Sequence, residues 1–203
     1  MRTSTKLAFI WLLFASAAFG QHCPVERGQV KLLTDAQGVQ VANAQPEDAK
    51  ISDLVKIAAP SKVMLMRANT RFTAELHRYK VQALVIGYKL EADYDFHIVL
   101  ADPDDPSITM IAEIPAGKCM APAYRKQFSQ TQARFAKEFS RPIAKFNRLA
   151  KPIRITANGV FFFDVLHGQT GVAPNGAELH PLFGWEKQQP QPLKQVAGMH
   201  LAR

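Results

Sequence analysis

VQALVIGYKLEADYDFHIVLADPDDPSITMIAEI, from Val81 to Ile114, reads as three strands in succession. Val81 to Leu90 is rich in branched and aromatic residues, as strands are. Tyr94 to Ala101 alternates with period two. Tyr94, Phe96, Ile98 and Leu100 face one way, and Asp93, Asp95, His97 and Val99 face the other. Asp102-Pro-Asp-Asp-Pro106 has turn chemistry, so Ser107 to Ile114 returns antiparallel to its predecessor.

Downstream the period changes. Tyr124, Phe128, Phe135 and Phe139 are spaced by 4, 7 and 4 residues, one stripe of a helix. Ser140-Arg141-Pro142 interrupts it, and Ile143, Phe146 and Leu149 predict a further helical turn or two up to Lys151-Pro152. Ile153 to Leu166 returns to strand composition, with Asn158-Gly159 marking a bulge or kink. A glycine-rich loop covers His167 to Gly176, and Glu178 to Trp185 is the last strand. The predicted fold is therefore mainly β with α, in the order β-β-β-α-β-β. That is the order of an OB-fold, a five-stranded Greek-key barrel with its helix between strands three and four. Another small α+β sheet fits the same elements.

Upstream, the N-terminal segment is irregular. Val30 to Val41 is expected to form a hairpin around Asp35-Ala-Gln-Gly38, and Ala42 to Lys50 a loop. Ser52 to Ala59 is expected to form a short helix capped by Ser52 and stopped by Pro60. The implied organisation is a signal peptide over 1–20, an extension over 21–80 packing on a barrel of 81–186, and a Gln/Pro-rich flexible tail over 187–203.

Arg2 and Lys6 precede an apolar run from Leu7 to Phe19, and Ala18-Phe19-Gly20 supplies small residues for cleavage. This almost wholly apolar run of 13 residues falls short of the roughly 20 that a membrane span needs. The expected location is secreted or periplasmic, with no span in the mature chain. In an oxidising compartment the two cysteines, Cys23 and Cys119, are expected to pair, although two free thiols fit the same count. The formal charge of +8 is concentrated locally. Nine lysines and arginines lie between Arg125 and Arg154 against one acid, Glu138. Arg134, Lys137 and Arg141 in this stretch are candidate contacts for a polyanion or envelope component, and equally the wet side of a helix. No specific nucleic-acid motif accompanies them.

Asp95 and His97 on strand two, Glu113 on strand three, Asp164 at the end of strand four with His167 after it, and Glu178 and His180 on strand five are candidates for chemistry. Histidine and carboxylate together are what a divalent metal or a phosphoryl-transfer site uses. If His97, His167 and His180 converge, they are candidate metal ligands. The bland alternative is that such a face is the solvent side of an antiparallel sheet. No H-E-x-x-H, C-x-x-C or P-loop signature is present.

Three segments carry a resemblance: Asp95-Phe-His97-Ile-Val-Leu100, Met110-Ile-Ala-Glu113-Ile-Pro115 with Cys119 close behind, and Phe162 to Pro181 with its HGQTGVAPNGAELHP run. Val30-Lys-Leu-Leu-Thr-Asp35 adds to it. The chain resembles a family of small secreted bacterial proteins of uncharacterised function. That resemblance implies export and an OB-like barrel, and brings no activity, cofactor or catalytic residue. A fainter likeness to thermonuclease-type OB enzymes, in the acidic start of strand two, is an analogy of fold. Two functions are compatible with these residues. One is a non-catalytic exported module binding a polyanionic or cell-envelope ligand. The other is a metal-assisted phosphoester hydrolase using Asp95, His97, Glu113, Asp164, His167 and His180.

Overall fold

A computed structural model describes Cys23, Pro24 and residues 26–188. The expected signal peptide and the tail beyond Gln188 lie outside the described residues. In chain order the elements are α1 (Gly28–Lys31), α2 (Gly38–Asn43), β1 (Glu47–Ala49), α3 (Ile51–Leu54), α4 (Lys62–Arg67), β2 (Arg78–Leu90), β3 (Phe96–Ala101), β4 (Thr109–Ile114), α5 (Arg125–Phe139), β5 (Asn147–Phe163) and β6 (Ala177–Lys187). No helix among the described residues is long and apolar enough to cross a membrane.

The six strands form one mixed sheet in the order β1-β2-β3-β4-β6-β5, and β2 also pairs with β5. Five strands therefore close into a ring, and β1 adds to it in parallel beside β2. The β4–β6 pairing is parallel, and the pairings of β2 with β3, β3 with β4, β5 with β6 and β2 with β5 are antiparallel. Alternate side chains point into the ring. Val81, Ala83 and Val85, then Ile98 and Leu100, Met110, Ala112 and Ile114, Phe161 and Phe163, and Leu179 share one core. Each such large apolar side chain stabilises the fold by roughly 1.5–3 kcal/mol.

The phenylalanine stripe of α5 docks on that core, with Phe128, Phe135 and Phe139 buried. Phe135 meets Tyr88 edge-on at 5.1 Å and stacks on Phe139 at 4.6 Å. The Tyr88 hydroxyl donates to the Phe139 carbonyl at the helix end, where Ser140 leaves helical geometry at φ 93°. Cys23 and Cys119 form a disulfide across a sequence separation of 96, which ties the start of the described chain to the segment between β4 and α5.

Four expectations are corrected. Val30 to Val41 forms the two short helices α1 and α2 rather than a hairpin. The Arg71 guanidinium, bonded to the Asp35 carboxylate and to the Val30 carbonyl, holds the turn between them. Ile143 to Leu149 is not helical. Residues 143–146 are irregular, with the Leu90 N–H donating to the Ile143 carbonyl, and pairing of Tyr88 with Asn147 and of Gly87 with Arg148 draws residues 147–149 into β5. The short helix near Ser52 runs over Ile51–Leu54 with Lys50, not Ser52, at its N-cap, and the expected loop over 42–50 contains the end of α2 and all of β1.

Candidate functional site

Period two places His97 beside Glu113 as a register pair between β3 and β4, and Ile111 beside Glu178 between β4 and β6. Asp95, His97, Glu113, Glu178 and His180 therefore share the side of the ring opposite the apolar core. An uncovered sheet would leave that side wet. Here it is dry, because two distant segments lie on it. The loop after β5 presses Gly171 onto Val99, so closely that a Cβ on Gly171 would sit 2.2 Å from a Val99 methyl carbon. The carbonyl of Thr170 lies 2.9 Å from His97 Nε2. From the other side, Arg27 and Lys31 lie over the Phe162 ring at 4.7 and 5.3 Å. All six residues of β3 are consequently buried, and the face is an enclosed polar layer rather than a solvated one.

Glu113 sits at the centre. Its Oε1 lies 3.3 Å from His97 Nδ1, and its Oε2 lies 3.0 Å from His180 Nδ1. His97 Nδ1 is also 3.2 Å from Glu91 Oε1. His180 Nε2 lies 3.8 Å from Asp95 Oδ2, and its Nδ1 lies 3.9 Å from Glu178 Oε2. Asp95, His97 and His180 are fully inaccessible, and Glu178 is 1% exposed.

Hydrogen bonding does not exhaust this cluster. Asp95 Oδ1 accepts the Ala116 N–H at 2.9 Å, but Oδ2 has no donor. Both Glu178 oxygens and both His180 nitrogens also lack a hydrogen-bond partner. The approach of His180 to Glu113 has ion-pair distance without hydrogen-bond direction. A buried polar group left unpaired costs about 1–3 kcal/mol, so five such atoms in one place call for a compensating charge or ligand.

Burial and charge act against each other here. Burial disfavours the His97 imidazolium, but Glu113 and Glu91 outweigh it and push His97 up to about 10. Burial likewise opposes charge on His180, and Glu113 and Glu178 push it up to about 9. Glu113 is held well below the usual carboxylate range by the two imidazoles despite its burial. Burial, with neighbouring carboxylates, raises Asp95 to about 8 and Glu178 to about 7. Lys31 is raised, the carboxylates of Asp164, Glu113 and Glu178 outweighing its burial.

Asp164 borders the cluster, with Lys31 Nζ 3.3 Å from its Oδ1 and the Gln169 amide donating to its Oδ2. His167 stays outside, its side chain 64% exposed and its ring 3.9 Å from Asp164. Two of the three candidate histidines thus meet through Glu113, and the third does not. Lys31 and Glu91 were not among the residues singled out from the sequence. An ionisable residue inside the apolar run Val30-Lys-Leu-Leu33 is the one signal that pointed to Lys31.

Arg134, Lys137 and Arg141 are exposed. Arg134 lies over the Trp185 ring at 4.6 Å and donates to Glu138 and to the Trp185 carbonyl. It lines a groove with Arg78, Lys80 and Phe183. Arg78 lies over the Phe183 ring at 4.2 Å. No family model, curated protein or solved structure matches this chain.

Proposed function

We propose that the chain is an exported, OB-like barrel module that binds a linear polyanion on its basic side. The observation that carries this reading is the placement of the nine cations between Arg125 and Arg154, every one of them exposed. Arg134 and Arg78 extend that side into the groove beside Phe183 and Trp185. Their guanidinium groups are pinned in advance, Arg78 by Asn158 and the Ala42 carbonyl, Arg134 by Glu138 and the Trp185 carbonyl. Less side-chain freedom is then lost when an anionic group docks.

The strand order around the ring, with α5 between β4 and β5, supports the OB-like reading. The disulfide fits an oxidising compartment. OB modules commonly bind strand-like ligands on their second and third strands. On β3 and β4 that surface is covered and rich in carboxylates, which repel a polyanion, so the ligand is assigned to the basic side. The same burial weighs against phosphoester hydrolysis at Asp95, His97, Glu113, Asp164 and His180, because Asp95, His97 and His180 are fully inaccessible to a phosphodiester and Glu113 and Asp164 are nearly so. His167 is exposed but stands apart from them.

The test is binding to heparin and to single-stranded DNA of mixed sequence over a salt series. Each neutralised phosphate contributes about −0.7 to the slope of log K against log salt for a single strand. Charge reversal at Arg134, Lys137 and Arg141 together is expected to abolish binding to the polymer that is the ligand class. Wild-type binding that is absent, or insensitive to salt and to the triple reversal, defeats the proposal.

A further inference from the structure

We propose that Asp95, Glu113, Glu178 and His180 form a closed site for one divalent transition-metal ion of the zinc or manganese type. The reasoning starts from the unpartnered atoms. Both oxygens of Glu178, both ring nitrogens of His180 and Asp95 Oδ2 are buried without a hydrogen-bond partner. They belong to β6 and to the start of β3, and the Glu113 carboxylate on β4 faces them. One oxygen from each of Asp95 and Glu113 and one ring nitrogen of His180 lie within 4.8 Å of one another. A metal with bonds of roughly 2.0–2.2 Å draws its ligands somewhat closer than this, through side-chain adjustment alone. Glu178 lies beside this set rather than within it, its Oε2 3.9 Å from His180 Nδ1, and a rotation of its unpartnered carboxylate brings it in as a fourth donor.

The neighbouring cations do not answer the need. Lys31 is paired with Asp164. His97 is engaged at both nitrogens, by Glu91 and Glu113 at Nδ1 and by the Thr170 carbonyl at Nε2. Neither forms an ion pair with Glu178. A water molecule donates to at most two of these atoms, whereas a metal ion takes one donor atom from each of the side chains gathered here.

The donor chemistry narrows the ion. One imidazole with carboxylates suits zinc and manganese better than the all-oxygen preference of magnesium and calcium, and the absence of thiolate from the set disfavours soft metals. Four protein ligands complete a tetrahedral zinc site, and for either ion the inaccessible layer keeps substrate away, so the site is structural rather than hydrolytic. His97 is then a positioning residue. It fixes the Glu113 carboxylate while its other nitrogen is held by the Thr170 carbonyl, as outer partners of metal ligands commonly are.

The experiment uses the full mature chain, purified from the exported fraction without chelator. Elemental analysis is expected to find about one zinc or manganese ion per chain. After chelation, Zn²⁺ and Mn²⁺ are titrated by calorimetry and by thermal melting. The expected result is binding by the wild type, with a rise in melting temperature. Glu178→Gln and His180→Gln are expected to lose detectable binding, and His97→Gln to retain the stoichiometry with affinity weaker by about tenfold. Glu178→Gln keeps the side-chain shape, so it decides the matter where His180→Gln does not fold. If neither ion binds the chelated wild type or shifts its melting, the proposal is wrong. It is equally wrong if His97→Gln abolishes binding while Glu178→Gln preserves it, because the ion then sits at Glu91, His97 and Glu113. Neither result bears on the basic groove, which shares no residue with this site.

Discussion

Arg27 and Glu75 form a bidentate ion pair, 2.5 and 2.7 Å long, that is closed off from solvent and sits where the N-terminal segment meets the end of β5. Glu75 also accepts the N–H groups of Phe163 and Phe72, and Arg27 donates to the carbonyls of Ala68, Thr70 and Phe163. One pair therefore ties residues 27, 68–75 and 163 into a single joint. It also carries α1, and with it Lys31, over the polar layer.

Removing one partner of a buried pair leaves the other charge uncompensated, at a cost of about 3–5 kcal/mol. Glu75→Gln preserves the shape but not the charge, and is expected to destabilise by about that amount. Urea unfolding of the disulfide-intact protein checks it. A loss below about 1 kcal/mol would mean that the joint is solvated in solution.

Much of the ring could be read from residues, and much of what covers it could not. The alternation of Tyr94 to Ala101 located β3 and placed Asp95 and His97 together opposite the apolar side chains. Period two is a local property, so a local pattern reveals it. Whether that polar side is wet depends on Lys31 and Gly171, each more than sixty positions from His97, and no local pattern encodes their arrival. The segment from Ile143 to Leu149 failed for a related reason. Its three-residue apolar spacing mimics a helix, but its last residues pair as strand with Gly87 and Tyr88 on β2, and the Ile143 carbonyl accepts the Leu90 N–H. Around Asp35 the turn is closed by Arg71, 36 residues on, so a stretch with hairpin composition becomes two helical turns. The convergence of His97 and His180 on Glu113 could be anticipated only as a condition on strand order, and the ring supplies that order.

The loop that closes the polar layer offers an internal comparison between two glycines. Gly168 and Gly171 both hold left-handed backbone, at φ 86° and 78°, so alanine at either is strained by about 1–2 kcal/mol. A Cβ at Gly168 meets nothing within 4 Å, whereas one at Gly171 runs into Val99. Overpacking adds about 1–3 kcal/mol. Gly171→Ala is therefore expected to be the more destabilising of the two, and to speed hydrogen exchange at the β3 amides, with Gly168→Ala leaving those amides protected. Equal losses for both variants would show that the loop does not press on β3.

Asp102 caps α3 from across the fold. Its Oδ2 accepts the Ser52 N–H and its Oδ1 the Asp104 N–H, each at 2.9 Å, and the side chain is all but inaccessible. Burial opposes its ionisation, but these donors outweigh it and hold the carboxyl below the usual aspartate range. A carboxyl whose pKa is lower in the folded chain than in the unfolded one stabilises the fold at pH values above the unfolded value of about 3.9. That contribution is lost as pH falls from there through the folded value. Asp102→Asn is expected to cost about 1.5–3 kcal/mol near pH 7, the range for hydrogen bonds to a charged group. The gap between wild type and variant should narrow as the medium is acidified below about pH 4. Urea midpoints across a pH series read this directly. A gap that stays constant down to pH 2 would mean that the asparagine loses only packing, and that the carboxylate charge contributes nothing to holding α3 against the turn between β3 and β4.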